Sequence, residues 1–119
     1  MTPPSPVFKR GDVVLVLFPN SNLQTAKTRP ALVIQADGIQ TGLSQVLVAM
    51  ISSQMSRAGH RSRVGVRQGS QEWQRSGLLA DSVVMTDNIA TVIHAAIHRV
   101  IGELPMNDVD QALRHTLGL

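Results

Sequence analysis

Around Gly59 the chain gathers Arg57, His60, Arg61 and Arg63. Such a basic run is either a steering surface for a polyanion or an ordinary solvated loop. Nine of the eleven cations are Arg, against eight carboxylates, and the formal net charge is +3. The planar guanidinium fork matches phosphates and base edges, so this balance points towards a nucleic acid. Aromatic stacking is not the means of binding it. Phe8, Phe18 and Trp73 are too few for the stacking rows of many RRM or OB-fold proteins. Trp73, alone in a polar stretch, reads as a partial core plug. His94 and His98 are four apart, a spacing that can set two metal ligands on one helical face. No carboxylate follows in a zinc pattern, and neither a metal nor a cofactor is expected. Without cysteine there is no thiolate nucleophile, disulfide framework or Cys-based zinc site.

The scaffold that carries these groups is small. At 119 residues the chain fits one domain, and 43% hydrophobic residues suffice for a modest core. Residues 1–7 read as a disordered Pro-rich tail, because Pro3, Pro4 and Pro6 suit neither a helix nor a central strand. Residues 8–119 read as the folded domain. The opening lacks a signal peptide's charged start and apolar run. No stretch approaches the roughly 18 apolar residues of a membrane span. A soluble cytoplasmic protein without a membrane partner is the simplest fit.

Asp12–Phe18, bounded by Gly11 and Pro19, reads as a buried strand. Residues 20–28 are polar and read as a surface loop. Further strands are expected at Ala31–Gln35 and Gln45–Ile51, with a short one at Val64–Val66 whose companion is Ser82–Met85. Such closely spaced strands leave no room for crossover helices, which implies antiparallel pairing. Ile93–His98 reads as one helical turn and Val100–Leu104 as another short strand. The last segment is a helix: Asn107 caps it, and Asp108 and Asp110 sit in the first turn. Val109, Ala112, Leu113 and Leu117 form its apolar face, with Gly118 closing it. The fold class is mostly β, a barrel or curled sheet of antiparallel strands with a C-terminal helix.

One order of blocks carries a resemblance. Lys9-Arg10-Gly11-Asp12-Val13-Val14 is followed, after the polar loop, by Lys27-Thr28-Arg29-Pro30-Ala31-Leu32-Val33-Ile34. Then come Val46 to Ser53, Ser76 to Val84, Val100 to Leu104, and the final helix to Leu119. From Phe8 onward this order resembles the MazF/PemK toxin family. The resemblance implies an SH3-like, PemK-type barrel that pairs as a homodimer and binds RNA along the dimer groove. It also implies the toxin of a type II toxin–antitoxin system, an endoribonuclease that cuts single-stranded RNA at short motifs without metal. Its cognate antitoxin would lay a flexible acidic segment over the same groove.

The resemblance carries over Arg29 and Ser52 as catalytic residues. Metal-free cleavage uses the RNA's own 2′-hydroxyl against the adjacent phosphate, so the enzyme must orient the attack, stabilise added phosphoryl charge and move protons. Arg29 can donate two charge-assisted bonds to the phosphate, and Ser52 one hydroxyl. Arg29 is no simple base, because it stays protonated. Where some members have an acid, this chain has Gln24, which leaves His60 and Asp87 as candidates for proton transfer. Contacts to RNA are expected from Gln24, Lys27, Thr28, Ser53, Gln54, Arg57, His60, Arg61, Arg63 and Asp87. Many relatives have Arg at the place of Ala90, so one phosphate contact or a packing contact is lost here. Two other functions stay open: a CcdB-like non-enzymatic gyrase poison, and a degenerate member that binds RNA or antitoxin without cutting.

Overall fold

The computed structural model describes residues 7–19 and 22–119. Except for Val7, the expected Pro-rich tail lies outside the described residues, as do positions 20 and 21 of the polar loop. The strands are β1 (Asp12–Pro19), β2 (Ala26–Val33), β3 (Gln45–Ser52), β4 (Arg63–Val66), β5 (Ser82–Ile93) and β6 (Ile97–Glu103). Helix α1 (Gln71–Ser76) precedes β5, and α2 (Asn107–Leu117) ends the chain. Single 3₁₀ turns lie at Met55–Arg57 and His94–Ala96.

All the strands join one sheet in the order β4-β5-β3-β2-β1-β6, with every pair antiparallel. The mostly β class is therefore as expected. The barrel is not closed, because β4 and β6 remain the two edges of the sheet.

Both faces of this sheet are covered, which is why its strands read as nearly unbroken apolar runs. One face buries Val13, Leu32, Ala49, Ile51 and Val84 beneath Val109 and Leu113 of α2. On the other face Val14, Val16, Ala31, Val33, Val46, Val48 and Val92 close on one another, with Phe8 and Phe18 against them. Burial of each such side chain contributes about 1.5–3 kcal/mol. Trp73 packs on the first of these clusters and its Nε1 donates to Ala80 O at 3.1 Å, so it plugs core as expected.

The departures from expectation have local causes. β2 begins at Ala26, not Ala31, because its exposed first half is paired to β1 and needs no apolar pattern. His94 and His98 lie on a 3₁₀ turn and a strand, so they do not share a helical face. Met106, not Asn107, is the N-cap of α2, and no side chain caps that end. Leu117 stays 55% exposed, because Thr116 is the residue in the last turn that bonds inward, to Thr86 at 2.8 Å. Helix α1 had no apolar periodicity to announce it. It is started by Ser70, whose Oγ accepts from Trp73 N, and stopped by Gly77 at φ 75°. That helix touches β6 backbone to backbone: a Cβ on Gly102 would overlap the Arg75 and Ser76 carbonyls.

Candidate active-site cleft

Pro30 opens the cleft. Ile34 N donates to Leu47 O of β3 at 3.1 Å, and strand alternation puts the nitrogen of residue 30 on the same side. Proline has no N–H to give there, so it removes a rung of the ladder. The β2–β3 pairing accordingly runs only over Val33↔Val48, Leu32↔Ala49 and Ala31↔Met50. Beyond it β2 stays with β1, β3 stays with β5, and the two strands part.

The gap is a cleft of about 990 Å³. Arg29, two residues before Ala31, and Ser52, two after Met50, continue that register from opposite sides, and both line the cleft. Ser52 Oγ accepts from Gln54 N at 3.1 Å, which leaves its hydroxyl proton for a ligand. Among the described residues, no hydrogen bond or ion pair engages the exposed Arg29 guanidinium. The turn after α1 supplies a further wall, Gly77 to Ala80, held in place by the close contact of Gly77 with Ile101 on β6.

The lining is electrostatically one-sided. Lys27, Arg29, Arg57 and Arg99 are its charged residues, and no Asp, Glu or His lies among them. Such a cleft attracts a polyanion and offers phosphate several donors. It presents neither a carboxylate nor an imidazole as a proton acceptor or metal ligand.

Of the residues expected from sequence, the cleft gathers Lys27, Thr28, Arg29, Ser52, Ser53, Gln54 and Arg57. It leaves out Gln24, His60, Arg61, Arg63 and Asp87. Gln24 is exposed in a turn organised by Asn22, whose side chain accepts from Gln24 N at 2.9 Å. His60 Nδ1 accepts from Ser62 N at 3.1 Å, and its ring lies 6.4 Å from that of His115 on α2. Neither group proposed for proton transfer, His60 or Asp87, therefore reaches the cleft lining.

Asp87 sits on a bulge of β5. Ala49 pairs with Ile89 and Met50 with Met85, so Thr86, Asp87 and Asn88 have no counterpart on β3. Bulges of this kind re-aim side chains beside functional sites. Thr86 turns inward, its N and Oγ1 both donating to Ser62 O at 3.0 and 2.6 Å. Asp87 turns outward to Arg63, at 2.9 Å to Nη2 and 3.4 Å to Nε. The hydrogen bond from Arg63, partly opposed by burial, holds the Asp87 carboxyl below its ordinary range, and the same bond raises the Arg63 guanidinium.

Asn88 and Arg99 line the cleft and were missed from sequence. Arg99 is reached only through the pairing of β6 with β1, where it stands opposite Leu15, and no local spacing announces that. Ala90 lies on the cleft wall.

Comparison with known proteins finds relatives in both sequence and fold. Residues 9–117 match the model of a family described as the PemK-like, MazF-like toxin of type II toxin–antitoxin systems. The chain is 35% identical over 107 residues to endoribonuclease MazF6 of Mycobacterium tuberculosis, covering 87% of this chain and 90% of that protein. It is 31% identical over 117 residues to endoribonuclease EndoA of Bacillus subtilis, covering 95% and 97%. Among solved structures, the Mycobacterium tuberculosis toxin MazF-mt6 superposes with a TM-score of 0.69 at 23% identity, covering 91% of this chain and 97% of that one. A mycobacterial endoribonuclease in complex with its cognate antitoxin gives 0.70 at 21% identity, covering 93% and 95%.

Proposed function

The chain belongs to the PemK-like, MazF-like toxin family of type II toxin–antitoxin systems, and from that premise we propose that it is a toxin endoribonuclease whose cleft between β2 and β3 holds single-stranded RNA. The observation that carries this reading is the cleft lining, with four cations, no acid, and Arg29 and Ser52 on the two parted strands.

In the proposed reaction the RNA's 2′-oxygen attacks the adjacent phosphorus as its proton passes to water, and the 5′-oxygen leaves and takes a proton from water. The products are a 2′,3′-cyclic phosphate and a 5′-hydroxyl. Arg29 neutralises the charge that develops on the phosphoryl oxygens, and Ser52 donates its free hydroxyl proton to the phosphate or the scissile sugar. Metal independence is supported by donor chemistry, since the lining offers no carboxylate or imidazole ligand. Rate enhancement then rests on orientation and charge more than on a side-chain base.

Lys27, Thr28, Ser53, Gln54 and Arg57 are the proposed RNA contacts within the cleft. Arg99 adds a cation on the wall where Ala90 supplies none. Gln24, His60 and Arg61 would meet RNA running beyond the cleft mouth. A homodimer, a cognate antitoxin whose acidic segment competes for the same cations, and action in the cytoplasm complete the reading. No described helix is long and apolar enough to cross a membrane. The gyrase-poison alternative draws no support from the relatives, two of which are named endoribonucleases.

The test is incubation of purified protein with long unstructured RNA in excess EDTA, followed by mapping of ends. Discrete cuts with 5′-hydroxyl ends, absent with Arg29→Ala, are expected. Folded protein that cuts no RNA, or cuts only when metal is added, overturns the proposal.

A further inference from the structure

We propose that Arg63 and Asp87 are positioning residues that clamp Arg57 at the cleft, and that neither touches RNA. The proposal rests on the RNA-cleaving reading above and deepens it.

The 3₁₀ turn Met55–Arg57 carries Arg57 to the cleft with little of its own to hold it. It buries no residue, and its two backbone bonds are Arg57 N to Gln54 O at 3.1 Å and Ala58 N to Met55 O at 3.0 Å. So short a turn is weak in isolation. Arg63 supplies what is missing. Its Nη1 donates to Arg57 O at 3.1 Å, while Nη2 and Nε hold both oxygens of Asp87. Three points of the guanidinium are thus spent inside the protein, leaving a poor phosphate ligand.

Asp87 is itself anchored, because the next residue on the bulge, Thr86, bonds Ser62 O and reaches Thr116 of α2. The chain of contacts therefore runs from α2 through the β5 bulge to Arg63 and the carbonyl of Arg57. Arg57 alone of these lines the cleft, where its Nη1 also approaches Met85 Sδ at 3.6 Å.

The sign of one substitution separates a clamp from a contact. Were Arg63 an RNA ligand, Asp87→Asn would free it and remove a negative charge, so binding would tighten. With a clamp, Asp87→Asn releases Arg57 and binding weakens despite the more positive surface. The measurement is affinity for a 2′-O-methylated single-stranded RNA over a range of salt, alongside kcat and KM on the cleavable RNA. Asp87→Asn is expected to weaken binding about three- to tenfold, and to raise KM with little change in kcat. Its salt slope should fall by about 0.7, the equivalent of one phosphate contact. Asp87→Glu should recover most of the loss. In an Arg57→Ala background Asp87→Asn should add nothing, since the group it positions is gone.

Tighter binding by Asp87→Asn, or additive losses in the double variant, would overturn the clamp. Amide exchange at Arg57 and Ala58 tests it independently of RNA. Exchange should quicken about three- to tenfold in Asp87→Asn, and unchanged protection overturns the clamp. If the wild type neither binds nor cuts RNA, the functional reading falls, while the exchange result still decides whether the clamp exists.

Discussion

Replacing Arg29 by Ala separates the chemistry from the scaffold. The side chain is exposed on β2 and makes no hydrogen bond or ion pair with another described residue, so its loss should change stability by no more than about 0.5 kcal/mol. Its value should appear in the transition state. One preorganised donor to a developing oxyanion contributes roughly 100- to 1,000-fold in kcat. Arg29 is exposed at the cleft, where water screens its charge, which places the effect at the lower end. The expected loss is about 100-fold in kcat, or about 2.7 kcal/mol. The added phosphoryl charge exists only after the 2′-oxygen has attacked, so KM should move less than about threefold. Arg29→Lys keeps the charge without the fork and should remain about tenfold below wild type. Initial rates on a short fluorescent RNA in EDTA, paired with thermal melts, decide the matter. An unchanged kcat with a raised KM would make Arg29 a ground-state binding group and refute the reasoning. A lowered Tm would assign it to the scaffold.

Three predictions concern the frame around the cleft. Gly102→Ala places a methyl against the Arg75 and Ser76 backbone, which cannot yield as a side chain would. A loss of about 3 kcal/mol or more is expected by denaturant titration, and a variant as stable as wild type would contradict the close packing of α1 on β6. Thr86→Val forfeits the two side-chain bonds, to Ser62 O and Thr116, while its N–H still reaches Ser62 O, and should cost about 1–2 kcal/mol, again read by denaturant titration; a neutral substitution would mean the hydroxyl does not hold the bulge there. The Asp87 carboxyl is lowered in the folded state, so its contribution to stability is complete above the ordinary carboxylate pKa of about 3.9 and fades as pH falls through the lower folded value. The gap in Tm between wild type and Asp87→Asn should therefore be small but measurable at pH 7 and shrink as pH falls below about 3.9. A gap that persists at low pH would rule out the ion pair as its source.

What could be read from the sequence followed burial. Asp12 to Phe18 and Gln45 to Ile51 announced themselves because both faces of the sheet are covered. Val64 to Val66 was matched with Ser82 to Met85, and the register sets Val66 opposite Ser82 and Val64 opposite Val84. The start of β2 was hidden because Ala26 to Arg29 are exposed, so pairing to β1 is all that extends them. Helix α1 has one large apolar residue, Trp73, in its six positions and no period to detect. Arg29 and Ser52 came from resemblance, and their sharing of a cleft needed the β2–β3 register. Arg63 and Asp87 are 24 residues apart, and their pairing is hidden because a charge in sequence does not disclose its partner. Arg99 was missed for the complementary reason, since its place at the cleft depends on a strand at the far edge of the sheet.

Two local violations of strand regularity, at Pro30 and at Thr86–Asn88, turn a continuous sheet into a site. In an unbroken ladder Arg29 and Ser52 would be cross-strand neighbours, too close for a phosphate to enter between them. Proline at residue 30 withdraws the donor that would tie β2 to β3 at that level, and the separation it permits is the cleft itself. On the other side of β3, the bulge interrupts the ladder between Ala49 and Met50, after which β3 and β5 stay paired as far as Ser52. That displacement sends Asp87 out to meet Arg63 while Asn88 stays on the cleft. The mouth is thus framed by two backbone departures, and at the bulge Thr86 N donates to Ser62 O instead of to β3. Strand positions hold side chains more tightly than free loops do, and Arg29 and Ser52 both remain on strands. A substitution at Pro30 that restored the missing N–H would favour closing this gap, which gives the Arg-Pro pair one physical meaning under the proposed function: the arginine would meet the phosphate, and the proline makes room for it.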